Sequence, residues 1–193
     1  MTPIPEPLPL PISLDQLRVF ADDLAGEVGP LLAGLDDERV NWRPGGGRGW
    51  SVAQCLDHLA ITTNAYLDGI EVAVRDASKR RQAATVAVDP GWFARWFIRQ
   101  LEPPVKLKMP APGKIVPAPR RSVAEAEGAF LGSLDRYRAV LDQARGIDAN
   151  ATRFANPFAP IRFTVGAGLV VIVAHDRRHL WQASNVKTAA GVP

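Results

Sequence analysis

The sequence predicts an all-α protein, a four-helix bundle, and three observations carry that expectation. Apolar residues recur at alternating spacings of three and four over several long segments, which is the helical period. Serines stand directly before three of these segments, where helix N-caps belong. The prolines punctuate the periodic segments: of 17, five lie in residues 3–11 and six in residues 103–119. At 193 residues and 47% hydrophobic composition, the chain can build one full core. Strand-rich alternatives fit poorly, because β-branched alternation is confined to short pieces.

Residues 1–12 read as a proline-rich N-terminal arm, extended because each ring fixes φ and removes a donor. Residues 13–190 read as a single helical bundle domain. Ser13 caps a first helix over about 13–35, with Leu14, Leu17, Ala21, Leu24, Val28, Leu31 and Leu35 on one stripe. Gly29-Pro30 is a candidate kink. Asn41 to Gly49, with three consecutive glycines, reads as a loop.

Ser51 caps a second helix over about 51–82, with Val52, Leu56, Leu59, Thr63, Tyr66, Ile70 and Ala73 on its main stripe. Asp89-Pro90-Gly91 is a turn. Trp92 to Leu101 reads as a short amphipathic helix with Trp92, Trp96 and Ile98 partly buried. A long proline-rich connection then joins the second and third main helices, with a brief strand expected at Val105 to Met109.

Ser122 caps the third helix, over about 122–145, and Glu125 completes a capping box. Its stripe reads Val123, Glu127, Phe130, Leu134, Tyr137 and Leu141. Asn156-Pro157 opens another loop. The last helix spans about 164–188. Its first half is apolar on every side, which predicts the central, most buried helix.

Composition excludes several classes. A net charge of +3, from 23 Lys plus Arg against 20 Asp plus Glu, speaks against a nucleic-acid binder. Arg80-Arg81, Arg120-Arg121 and Arg177-Arg178 are scattered pairs and form no basic stripe. One cysteine, Cys55, excludes an internal disulfide framework. The longest apolar run, Val165 to Ala174, is about half the length that crosses a bilayer. The N-terminus has no basic start and no apolar core of a signal peptide. A cytoplasmic protein with no membrane partner is the expectation. Gly45-Gly46-Gly47 lacks the Lys-Ser/Thr of a phosphate loop, and no Ser-His-Asp elbow is present.

The three histidines are the most informative residues. His175 and His179 are four apart in AHDRRHLWQ, which places both rings on one helix face, one turn apart. Their stripe, Gly168, Ile172, His175, His179, Gln182 and Val186, is expected to point into the bundle. His58 lies on the stripe Cys55, His58, Thr62, Ala65 and Gly69, whose small members leave room beside the ring. Packing of the second helix on the last brings the three rings into reach of one ion. The spacing alone also fits ordinary core or surface histidines. Burial decides, because two unpaired inward imidazoles carry a desolvation cost that a metal offsets.

WSVAQCLDHL at Trp50 to Leu59, with HDRRHLWQ at His175 to Gln182, resembles the DinB-like superfamily, named for damage-inducible bacterial proteins. The resemblance covers most of the chain. It implies a four-helix bundle with a divalent metal held by His58, His175 and His179. It also implies an activity class, since relatives include bacillithiol S-transferases and a mycothiol-dependent maleylpyruvate isomerase. The proline-rich stretch from Val88 to Arg121 aligns with no family motif.

A three-histidine site brings no anionic ligand, so the ion keeps its charge and leaves positions open. Such an ion lowers the pKa of a bound water or thiol. Zinc or nickel leads as the expected metal, with iron or manganese next, since imidazole suits several ions. The implied function is a thiol S-transferase acting on a low-molecular-weight thiol and an electrophile. The alternative is a non-catalytic stress-response bundle with a structural metal, binding a small molecule or a protein. A homodimer is compatible with the bundle faces.

Other residues near the site keep two readings. Gln182 is either a neighbour of the site or a surface glutamine. Gln54, one turn before His58, is a candidate hydrogen-bond partner of its ring. Cys55 is a candidate fourth ligand, though a packed core thiol fits better. Asp57 and Asp176 read as solvent-facing or inter-helix ion-pair residues. The five tryptophans read as core and loop-packing residues, and Arg177 and Arg178 as attractors of an anionic substrate.

Overall fold

The computed structural model describes residues 3–80, 83–104 and 115–191. Four long helices form the bundle: α1 (Leu14–Leu32), α3 (Val52–Ser78), α5 (Val123–Ala144) and α6 (Val165–Ala189). Each starts at a hydroxyl. Ser13, Ser51 and Ser122 each accept from the backbone N–H three residues on, in capping boxes closed by Gln16, Gln54 and Glu125. Thr164 caps α6 through Ala167 N. Donors that the first helical turn leaves open are satisfied this way.

α3 packs against α5 and α6, and α1 packs against the same two helices, so α1 and α3 stand diagonally across the bundle. Every residue of α6 from Val165 to Ala174 is buried, as the all-round apolar sequence predicts. Phe130 and Tyr137 of α5 fill the centre with no exposed surface. The Tyr137 hydroxyl donates to the Leu169 carbonyl at 3.0 Å, which lets a polar tip sit in the core.

A short helix, α4 (Gly91–Leu101), lies on α6. Its buried residues are Ala94, Ile98 and Leu101. Trp92 and Trp96 are 82% and 55% exposed, so the expectation that they are partly buried is corrected. The two rings share the opposite face from Ile98, and α6 covers only one side.

The helix boundaries move in two places. α1 ends at Leu32 and not near residue 35. Pro30 removes one backbone donor, and Gly34 then takes a left-handed φ of 76°, which turns the chain away. α3 ends at Ser78 and does not reach residue 82. In α5 the buried stripe starts at Ala126, one position before the expected Glu127, which is only half-buried. The loop at Asn156 is the tip of a hairpin, β1 (Arg153–Ala155) paired antiparallel with β2 (Arg162–Thr164). Three-residue strands leave too little alternation to read in a sequence. The strand expected at Val105 to Met109 lies outside the described residues.

The N-terminal arm is part of the core. Leu8 is 1% exposed and Ile12 is fully buried. Ile12 exchanges two backbone hydrogen bonds with Val88, at 3.1 and 2.7 Å. Leu8 N donates to the buried Glu102 carboxylate at the end of α4. Arg177 of α6 donates to the same carboxylate at 3.0 Å. One buried acid therefore ties the arm, α4 and α6 together.

Candidate metal centre

α3 and α6 meet where both carry histidine. His58 on α3 is 2% exposed, and its Nε2 lies 3.2 Å from His175 Nε2 on α6. His179, one turn further along α6, is 9% exposed, and its ring centroid is 4.7 Å from that of His58. One ligand-type nitrogen from each ring falls within 4.8 Å of the other two. Cys55 is fully buried and outside this group, and burial pushes its thiol up to about 12, a packed core thiol.

Two of the rings are held by their outer nitrogens. His58 Nδ1 donates to the Ile115 carbonyl at 2.8 Å. A carbonyl can only accept, so Nε2 keeps its lone pair and faces the other two rings. His179 Nδ1 lies 2.9 Å from Gln182 Oε1, which fixes that ring in the same sense. Gln182 thus sits beside the site. Gln54 does not touch His58; its side chain closes the capping box on Ser51 N at 3.1 Å. A residue placed to cap a helix start has no reach left for a ring one turn on.

The electrostatics keep the rings neutral. Burial is the largest cause for each, and it lowers His58, places His175 well below its ordinary value and takes His179 down to about 3. The neighbouring rings depress His175 and His179 further. Neutral imidazoles are the form that binds metals. Two nitrogens each bonded to one tetrahedral ion at about 2.0–2.1 Å stand roughly 3.3 Å apart. The 3.2 Å between His58 and His175 matches that spacing. The donor set therefore fits a divalent ion, with positions left over.

Trp50 is the residue that sequence reasoning missed. Its ring lies 4.6 Å from His58 and stacks on His179 at 5.7 Å, with 29° between planes. Gly45, Gly46 and Gly47 all have positive φ, which lets the single-turn α2 (Pro44–Gly47) reverse the chain and deliver Trp50 to the site. The Trp-Ser opening of the second helix was the available signal.

The two aspartates differ. Asp57 forms the expected ion pair, with Arg121 Nε at 3.1 Å, and also accepts from Ala118 N at 2.7 Å. Asp176 is fully buried and not a solvent residue. It accepts from Thr63 Oγ1 at 3.2 Å, and burial holds its carboxyl well above the usual range. Helix α6 is enclosed on the side that sequence spacing alone leaves open.

The rings line one end of a cavity of about 370 Å³. Its other walls are aromatic and aliphatic, from Phe93, Phe97 and Phe158 to Val171 and Ile172. Tyr66 and Asn156 meet there through a 3.0 Å hydrogen bond. Arg178 joins the wall and donates to the Gln100 carbonyl at 3.4 Å. Arg177 turns away, toward Glu102 and the arm. A larger open groove of about 910 Å³ lies between α3 and the hairpin, and none of the three histidines lines it.

No curated protein matches the sequence. Among solved structures, the chain is similar to YfiT from Bacillus subtilis, described as a probable metal-dependent hydrolase with an unusual four-helix bundle topology. The TM-score is 0.55 at 16% identity, over 100% of this chain and 95% of that one, which shows a shared fold. A family model described as the DinB superfamily matches residues 24–183, a span that holds all three histidines. On that match, over most of its length, the chain belongs to the DinB superfamily.

Proposed function

We propose that this protein is a divalent-metal-dependent enzyme of the thiol S-transferase type, joining a low-molecular-weight thiol to an electrophilic substrate. The observation that carries the reading is the convergence of three neutral imidazoles, those of His58 and His179 buried and that of His175 half-buried, at the head of an apolar cavity. His58, His175 and His179 would hold the ion, with zinc or nickel the leading candidates. A bound ion supplies positive charge that stabilises thiolate over thiol at neutral pH.

The chain's own groups do the rest. The Ile115 carbonyl and Gln182 hold the His58 and His179 rings in the binding tautomer. Trp50 closes one side against water. The apolar walls exclude competing solvent and strengthen the pull of Arg178 on an anion. Among the described lining residues no carboxylate stands ready as a general base. That favours a nucleophile whose proton leaves easily, a thiol before water.

Hydrolysis is the second reading, favoured by the fold shared with YfiT. A structural metal in a non-catalytic, small-molecule-binding bundle is the third. One experiment separates them: elemental analysis of the purified protein, then thiol-transfer and ester-hydrolysis assays with and without chelator. Chelator-sensitive thiol transfer is the expected result. Unfolding of the wild type by chelator would make the ion structural and remove the transferase reading.

A further inference from the structure

We infer that the cavity beside the three histidines selects an amphiphilic monoanion: an unbranched or aromatic apolar tail ending in one anionic head, a carboxylate or a thiolate. The inference deepens the metal-enzyme reading and rests on it for the position of the head.

Two observations carry it, and both concern charge and polarity along the cavity. At one end stand His58, His175, His179 and the guanidinium of Arg178. No aspartate or glutamate is among the described lining residues. Asp176, whose Oδ1 lies 3.9 Å from His175 Nδ1, is engaged with Thr63, and the buried Asp57 with Arg121 and Ala118 N. An ion on the histidines adds to this positive end. A single anionic head is therefore matched there, while a cationic head is repelled.

Away from that end, Phe93, Phe97, Phe158, Ile161, Val171 and Ile172 form the walls. Thr62, on the same wall, spends its hydroxyl on the His58 carbonyl within its own helix. Tyr66 and Asn156 bring no charge to this wall, and Asn156 Oδ1 already accepts from Phe158 N and Ala159 N. A second charge on the ligand would be stranded there, at the cost of burying an uncompensated ion. The volume, about 370 Å³, equals roughly a dozen waters at about 30 Å³ each, enough for a medium-length chain or one ring with its linker. Phe93, on α4, is 43% exposed, so it forms the rim where the tail enters.

The test is a binding panel read by calorimetry and tryptophan fluorescence, on full-length protein. Zinc is titrated first and separately, so a failure of the metal reading is seen on its own. The panel is then acetate (head only), octanol (tail only), suberate (second charge), octanoate and octanethiol, against both zinc-loaded and metal-free protein. Each methylene removed from water contributes about a factor of four. Octanoate should therefore bind more than about 100-fold tighter than acetate once four methylenes are buried. Octanol and suberate should each bind at least about tenfold weaker than octanoate. The thiol arm tells which head the site prefers: octanethiol ahead of octanoate on zinc-loaded protein assigns the thiolate, the reverse assigns the carboxylate.

Phe93→Glu places a charge at the rim without opening the core. It should weaken octanoate at least about tenfold and leave zinc affinity unchanged. Acetate or octanol binding within about threefold of octanoate overturns the inference, as does suberate binding equally well. Octanoate affinity untouched by Phe93→Glu overturns the placement of the tail. If zinc fails to bind, the same ranking on metal-free protein, with Arg178 as the head partner, still decides the ligand class.

Discussion

Asp57→Ala removes a carboxylate that governs one of the histidines at second hand. Asp57 Oδ2 accepts from Ala118 N at 2.7 Å and Oδ1 accepts from Arg121 Nε at 3.1 Å. These bonds pin the segment whose Ile115 carbonyl orients His58. Asp57 is 2% exposed, so its hydrogen bond to a backbone N–H is charge-assisted and worth about 1.5–3 kcal/mol. Arg121 is 39% exposed and recovers water, so the ion pair adds less than about 1 kcal/mol. Urea unfolding should show a loss of about 2–3 kcal/mol. Freeing Ile115 should also cost about 10–100-fold in zinc affinity, measured by competition with a chromogenic chelator. Asp57→Asn keeps an acceptor for Ala118 N but neither the charge nor the second acceptor for Arg121, and should lose less than Asp57→Ala. A stability loss in Asp57→Ala with zinc affinity within about twofold of wild type would refute the claim that this segment positions His58.

Three further outcomes follow from the same geometry. Metal-free protein should lose stability as pH falls below about 6.5, because the unfolded chain binds protons that the three folded rings resist; the window for His179 runs down to about 3. A ring that stays neutral contributes up to about 1.4 kcal/mol per pH unit, opposed by Asp176 and Glu27, whose carboxyls burial raises; a stability that rises as pH falls from 7 to 5 contradicts this. Gly168→Ala would put a Cβ 2.6 Å from two atoms of the Phe154 ring and 3.0 Å from Ile70, so overpacking of about 1–3 kcal/mol should outweigh the helix-propensity gain of about 1 kcal/mol, and thermal melts with a raised Tm would contradict it. Leu8→Ala should cost about 2–5 kcal/mol in urea unfolding, whereas an arm outside the core would leave the midpoint unchanged.

The main helices and the metal candidates were legible in the sequence because both rest on local spacing. Period and caps define a helix one turn at a time, so Ser13, Ser51 and Ser122 marked true starts. The four-residue gap between His175 and His179 put both rings on one face whatever else packed nearby. What packs against a face is a long-range fact, and only the tertiary structure decided it. The Ile115 carbonyl reaches His58 across 57 residues of chain, and no motif in the proline-rich stretch announces it. Trp50 was legible as part of a motif, yet its stacking on His179 depends on where a left-handed glycine turn aims it. Asp176 read as a solvent-facing or inter-helix ion-pair residue until Thr63 of α3 met it in the interior. Trp92 and Trp96 read as partly buried aromatics until α4 turned its Ala94, Ile98 and Leu101 face to α6. Local periodicity says which residues share a face, but the burial of that face is set by the free energy of packing the whole bundle, to which every distant segment contributes.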